Sequence, residues 1–146
     1  MQTTESSIIV EARIHASPEQ VWKAWTEPNL LKTWFGSDPN GKVLDAKTDP
    51  VPGGKFEVTF RDSDGTEHTC FGVYREVQES SRLTFTWQWK NEPGVESFII
   101  LSLAPHGYST RLQLEHINPG PGSNHDYVEG WQKTFAKLEK VMRIPF

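Results

Sequence analysis

The chain has 146 residues, with 15 Lys and Arg against 19 Asp and Glu, which gives a formal charge of −4. A mildly acidic chain without a basic cluster lacks the electrostatic signature of a nucleic-acid-binding protein. The N-terminus has no signal-peptide pattern and no apolar run approaches a membrane span, so we expect a cytoplasmic protein. The single cysteine, Cys70, fits a reducing compartment, and the chain length predicts one domain over residues 1–146.

The first predicted elements are a strand and two short helices. Apolar and polar residues alternate from Ile8 to His15, which predicts a strand with one buried face. Ser17 is a typical helix N-cap, Pro18 suits the first turn, and Gln20 lies at the capping-box position, so a helix begins here. A second short helix is predicted over Asn29 to Phe35.

The middle of the chain alternates with period two and carries frequent turn signals, which predicts six strands. The connections are short and rich in Gly, Pro, Asn, Asp and Ser, so the strands are expected to form an antiparallel meander. In the strand around Cys70 the alternation leaves open which residues face inward. The six predicted strands are Lys42–Lys47, Lys55–Arg61, Glu67–Gln78, Leu83–Lys90, Val95–Leu103 and Ser109–Ile117.

A long amphipathic helix follows the strands. Its apolar residues recur on one helical face over Asn124 to Arg143. The predicted fold is α+β, in the order strand, two helices, six strands and helix, with an antiparallel sheet of about seven strands curved around the last helix. Alternation predicts a solvated outer face of the sheet that carries Lys55, Glu57, Thr59, Thr84, Thr86, Gln88, Arg111, Gln113 and Glu115.

A series of short motifs spans nearly the whole chain. They are Ala16-Ser17-Pro18, Val21-Trp22-Lys23-Ala24-Trp25-Thr26, Trp34-Phe35, Gly53-Gly54-Lys55-Phe56, Gly72-Val73-Tyr74-Arg75-Glu76-Val77, Arg82-Leu83-Thr84-Phe85-Thr86-Trp87, Thr110-Arg111-Leu112-Gln113-Leu114-Glu115-His116 and Gly130-Trp131. Their order and spacing resemble the START-like, Bet v 1-like superfamily with its helix-grip fold. Within it, the chain resembles the activator of Hsp90 ATPase homologue 1-like family in its single-domain bacterial form.

This resemblance implies a cavity between the sheet and the last helix. Relatives use that cavity for lipids, sterols, polyketides or other apolar small molecules. A chaperone role does not follow from the resemblance, because the members that act on the chaperone carry an additional N-terminal domain.

The sequence contains no strong catalytic motif, such as a G-x-S-x-G elbow, a phosphate-binding glycine loop, an H-E-x-x-H pair or paired cysteines. We therefore predict no cofactor, and His116 is the one weak catalytic candidate. Alternation places His116 on the inner face, as a structural, a ligand-orienting or an acid–base group. His125 and Glu129 lie one helical turn apart and are expected to be a surface pair rather than a metal site, because no third ligand accompanies them.

The 6 Trp, 8 Phe and 3 Tyr residues suggest an aromatic ligand site as well as a core. The leading hypothesis is an intracellular protein, monomeric or homodimeric, that binds a hydrophobic or aromatic small molecule or a lipid between sheet and helix. Two alternatives remain: a pocket enzyme with hydrolase- or cyclase-like acid–base chemistry at His116, and a stress-response or chaperone-associated module. The predicted ligand-binding residues are Trp25, Trp34, Phe35, Phe56, Val58, Phe60, Tyr74, Phe85, Trp87, Trp89, Ile99, Leu101, Leu112, Leu114, His116, Trp131, Phe135 and Leu138.

Overall fold

Seven antiparallel strands form one sheet, and three helices cover its inner face. The structure is a computed structural model that describes residues 7–92, 94–118 and 127–143. The elements are β1 (Ser7–Ile14), α1 (Pro18–Thr26), α2 (Pro28–Leu31), β2 (Lys42–Thr48), β3 (Lys55–Arg61), β4 (Glu67–Gln78), β5 (Arg82–Trp89), β6 (Ser97–His106), β7 (Ser109–Ile117) and α3 (Tyr127–Met142).

The strand order is β1-β7-β6-β5-β4-β3-β2, so β1 pairs with the last strand while β2 to β7 form a meander. This α+β arrangement is the predicted one. Strands β3, β4 and β7 have the predicted bounds, and the other strands differ by at most three residues at either end. The predicted start of the last helix, at residues 124–126, lies outside the described residues.

The helix α1 begins as the sequence predicts. The Ser17 hydroxyl accepts a hydrogen bond from the backbone N–H of Gln20 at 3.2 Å, and the Gln20 side chain accepts from the Ser17 N–H at 3.1 Å. These bonds satisfy two of the N–H groups that every helix start leaves without an intrahelical partner. The capping box is therefore confirmed.

The predicted second helix is too long. The helix α2 ends at Leu31, and the chain continues to Phe35 as turns in which the N–H of Trp34 bonds the carbonyl of Leu31, three residues back. Gly36 then takes a φ of +104°, a left-handed conformation that glycine adopts without strain. This irregular path directs both Trp34 and Phe35 into the core, where each is at least nine-tenths buried.

The inward face of β4 is Cys70, Gly72 and Tyr74, which settles the ambiguity in the sequence. Gly72 allows a close approach of β5, since a Cβ atom here would lie 1.9 Å from the carbonyl oxygen of Thr86. No residue with a side chain fits this position without a shift of the backbone.

Two threonines predicted on the solvated outer face, Thr84 and Thr86, are buried instead. The β4–β5 register shifts between Tyr74 and Glu76. Near this shift the threonine hydroxyls accept hydrogen bonds from backbone N–H groups of β4. Thr86 accepts a hydrogen bond from the Val73 N–H and Thr84 accepts one from the Glu76 N–H, both at 2.9 Å. Backbone groups that a bulge leaves without a ladder partner are thus satisfied by side chains.

Candidate ligand-binding cleft

An open cleft of about 290 Å³ lies at one end of the sheet. The ends of β3, β4 and β5 meet there with the loop after α2 and the first two turns of α3. Lys137 of α3 donates from Nζ to the carbonyl of Asp38 at 3.0 Å, and this hydrogen bond connects the loop after α2 to α3. The described residues that line the cleft are Phe35, Gly36, Ser37, Phe60, Asp62, His68, Trp87, Trp89, Tyr127, Glu129, Gly130, Trp131, Lys133 and Thr134.

The walls of the cleft are aromatic rings that hold one another in place. The Trp87 ring lies 5.2 Å from Trp89 and 5.4 Å from Trp131, measured between centroids, and Phe60 lies 6.0 Å from Trp89. The Trp89 indole N–H donates to the Tyr127 hydroxyl at 2.7 Å, which links β5 to the start of α3. Such T-shaped and tilted ring pairs are favourable geometries that fix the positions of the rings lining the opening.

The rim of the cleft is polar. Nε2 of His68 and a carboxylate oxygen of Asp62 are 2.8 Å apart, and Lys133 lies 3.5 Å from the carboxylate of Glu129, one turn earlier in α3. His68 was not among the predicted site residues. His68 lies on the same face of β4 as Cys70, Gly72 and Tyr74, so a correct assignment of the β4 faces would have identified it.

The space deeper between sheet and helix is almost filled by side chains. A void of about 20 Å³ remains between the sheet and the segment of α1, α2 and Phe35, enough for one water molecule and too small for an organic ligand. Among the predicted site residues, the cleft is lined by Phe35, Phe60, Trp87, Trp89 and Trp131, and the void by Trp25, Phe35, Phe56, Val58, Tyr74, Phe85 and Trp87. The others, which line neither space, are the core residues Trp34, Ile99, Leu101, Leu112, Leu114, His116, Phe135 and Leu138.

The buried tryptophans differ in how their indole N–H groups are satisfied. The N–H of Trp34 donates to the carbonyl of Ala24 at 3.0 Å. The N–H groups of Trp25 and Trp87 are buried and have no hydrogen-bond partner in the described part of the chain. An unpaired buried donor costs about 1–3 kcal/mol. Packing of the large rings therefore outweighs hydrogen bonding at these two positions.

His116 is completely buried, and both of its ring nitrogens bind protein groups. The Trp131 indole N–H donates to Nδ1 at 3.2 Å, so Nε2 carries the ring proton and donates to the Ser97 hydroxyl at 2.7 Å. Burial lowers the pKa of His116 to about 4, so the ring is neutral at physiological pH. This arrangement joins β6, β7 and α3 and leaves neither nitrogen for a substrate.

Two further buried groups on β4 have shifted pKa values. Burial raises the pKa of the Tyr74 hydroxyl, and burial also raises the pKa of the Cys70 thiol. Both side chains therefore stay protonated at neutral pH, and the cysteine has the character of an inert core residue. In residues 7–92, 94–118 and 127–143 no three His, Cys, Asp or Glu side chains are placed to hold a metal ion, and His125 lies outside these residues.

A curved antiparallel sheet that holds a long C-terminal helix against its inner face is the helix-grip fold. The chain belongs to the family described as activator of Hsp90 ATPase homolog 1-like protein, whose family model matches residues 15–143. No curated protein is similar enough to this chain to match it. Among the described residues no helix is long and apolar enough to cross a membrane.

Solved structures show the same fold. Protein NE0264 from Nitrosomonas europaea is 27% identical, with a TM-score of 0.80 over 94% of both chains. CalU16 from Micromonospora echinospora is also 27% identical, with a TM-score of 0.70 over 94% of this chain and 76% of its own. The AHSA1-like protein from Aeromonas hydrophila has a TM-score of 0.78 at 22% identity, over 92% of this chain and 90% of its own.

Proposed function

We propose that this protein binds a small hydrophobic, aromatic molecule in the cleft at the start of α3, and that it does so in the cytoplasm. The observation that carries the proposal is an open space whose walls are rings of Phe60, Trp87, Trp89 and Trp131, beside a core that is otherwise closed. Apolar walls with a few polar groups at the rim are typical of small-molecule sites.

The size of the cleft restricts the ligand. Pockets for drug-sized molecules have volumes of roughly 300–1,000 Å³, and this cleft, at about 290 Å³, is at the lower limit. We therefore expect a ligand of one or two rings rather than a lipid or a sterol. The ligand would lie between the indoles at the mouth, nearer to solvent than the site predicted from the sequence.

The two alternative functions have less support. An acid–base role for His116 would require a free ring nitrogen, and both nitrogens already form hydrogen bonds. A surface-acting module would be expected to expose a continuous apolar patch. Among the described residues the exposed large apolar side chains are scattered, with Ile9 on β1 and Leu44 on β2, at opposite ends of the strand order.

Naphthalene is a suitable probe for this site because it has two rings and no polar group. Addition of naphthalene to the protein should shift the indole N–H signals of Trp87, Trp89 and Trp131 in ¹H–¹⁵N spectra. The variant Gly130→Trp should weaken binding at least about tenfold. Apart from its chain neighbours and the backbone of its own helix, a Cβ at Gly130 meets no atom within 4 Å, so the new ring has room to occupy the cleft.

Gln132→Trp is the matched control, since it adds the same ring at an exposed position of α3 that does not line the cleft. It should bind naphthalene as the wild type does. Equal binding by the Gly130→Trp variant, or no change in the three indole signals of the wild type, would contradict the proposal.

A further inference from the structure

The polar pair at the rim of the cleft, His68 and Asp62, is placed to recognise one functional group of a ligand. His68 lies opposite Phe60 in the β3–β4 ladder and on the inner face of β4. Its ring lies 5.2 Å from the Phe60 ring and 5.9 Å from the Trp89 ring, both of which are walls of the cleft. The histidine side chain is 23% exposed, so it is fixed by packing and still accessible.

The hydrogen bond to Asp62 determines what His68 can offer. A carboxylate only accepts, so the 2.8 Å contact with Asp62 places the ring proton on Nε2 of His68. In the neutral ring Nδ1 is then a hydrogen-bond acceptor. Nδ1 forms no hydrogen bond with any group in the described part of the chain. A bound molecule in the cleft would therefore meet an oriented acceptor beside the aromatic walls.

The charges around the cleft favour a neutral donor over an anion. The described lining contains two carboxylates, on Asp62 and Glu129, against one lysine, Lys133, which already lies 3.5 Å from Glu129. With two carboxylates and one lysine, these residues carry one net negative charge, which disfavours a carboxylate ligand. A hydroxyl group on an aromatic ring would donate to Nδ1 of His68 without any charge to compensate.

We propose that the ligand of this cleft is a hydroxylated aromatic molecule, whose O–H donates to Nδ1 of His68 while Asp62 holds the imidazole. This inference rests on the proposed function, because it names the ligand class of the same site. His68 is the specificity-determining residue, and Asp62 acts through it as a positioning residue.

The first test compares probes of similar shape. We expect 2-naphthol to bind about tenfold more tightly than 2-methoxynaphthalene, which keeps the oxygen and both rings but has no proton to donate. The double variant His68→Phe/Asp62→Ala should remove this preference, because it keeps an aromatic ring against Phe60 and Trp89 and leaves neither the imidazole nor an unpaired carboxylate to accept the hydroxyl proton. His15→Phe, at a half-exposed histidine paired with Glu139, should retain it.

The second test detects the acceptor directly. Excited 2-naphthol is a strong acid, so it transfers its proton to a base in hydrogen-bond contact and then emits as naphtholate. At saturating protein in mildly alkaline buffer, with excitation beyond the indole band, the wild type should show naphtholate emission. The complex of the double variant His68→Phe/Asp62→Ala should show emission of neutral naphthol, because neither the imidazole nor the carboxylate remains in the lining as an acceptor. A purely structural role of His68 would not change this spectrum.

The outcomes separate the two proposals. Tighter binding of 2-naphthol together with naphtholate emission that depends on His68 supports the inference. If naphthalene, 2-naphthol and 2-methoxynaphthalene bind equally and the bound naphthol emits only as the neutral form, the inference is overturned while the aromatic site stands. If none of the three binds, the proposed function itself is overturned.

Discussion

The protonation of His116 gives the sharpest quantitative expectation for this fold. Burial lowers its pKa from the usual 6.5 to about 4 in the folded protein. Below pH 6.5 the unfolded chain binds a proton that the folded protein does not, so acid favours unfolding. The stability that depends on a neutral His116 is present in full above pH 6.5 and is lost as the pH falls towards 4. A pKa difference of this size corresponds to about 3 kcal/mol.

The expected measurement is the free energy of unfolding in urea at a series of pH values. The wild type should lose about 3 kcal/mol between pH 6.5 and 4, and the loss should be absent in His116→Asn, whose amide oxygen can still accept from Trp131. That variant starts from a lower stability at neutral pH because its bond to Ser97 is gone. His15→Asn should keep the wild-type loss, since it alters only an exposed histidine.

Other groups with shifted pKa values titrate mainly outside the interval from pH 6.5 to 4. The backbone N–H of Ser63, followed by that of Asn40, lowers the pKa of Asp38 to about 2, and the Thr66 N–H lowers that of Asp64. Their contributions are lost mainly below the ordinary aspartate pKa of 3.8. A difference between wild type and His116→Asn that stays constant from pH 6.5 to 4 would refute the assignment, as would an NMR titration of the His116 ring near 6.5 in the folded protein.

Two matched pairs of variants test the packing, each by urea unfolding at neutral pH. Trp34→Phe should lower the free energy of unfolding by about 1–3 kcal/mol more than Trp25→Phe does, because both indoles are buried and only that of Trp34 has a hydrogen-bond partner to lose. Equal losses in the two variants would show that ring volume alone matters. Gly72→Ala should lower the free energy of unfolding by about 3 kcal/mol, because the added methyl group collides with the Thr86 carbonyl. Gly130→Ala should instead raise it by about 0.5–1 kcal/mol, because alanine favours the helical backbone of α3 more than glycine does. A gain of stability in the first glycine variant would contradict the described β4–β5 contact.

The features that sequence analysis predicts well are those that depend on neighbouring residues. The capping box at Ser17 and Gln20 is a contact between residues three apart, and it forms as predicted. The meander follows from short turns and alternation, which act within each hairpin. In contrast, the helix predicted to Phe35 stops at Leu31, and the turns that follow bury the adjacent residues Trp34 and Phe35 together in the core.

The site was less predictable, for two reasons. The alternation of β4 is ambiguous because its inward residues include Cys70 and Gly72, neither of them large and apolar, and this concealed the inward position of His68. The second reason is separation along the chain, because the cleft combines residues of β3, β4 and β5 with the loop after α2 and with α3. Once the β4 faces are known, His68 and Asp62 follow as neighbours at the end of the sheet.

The sequence by itself determined the order of elements, the antiparallel sheet and the aromatic character of the space under α3, because hydrophobic period and turn chemistry are local properties of the chain. Only the tertiary structure decided how much of that space stays open. Whether rings fill a cavity or line it depends on their volumes and orientations across elements that are distant in the chain. Here the interior, where Leu101, Leu114 and Leu138 are fully buried, keeps a void of only about 20 Å³, while Trp87, Trp89 and Trp131 leave a cleft at its mouth.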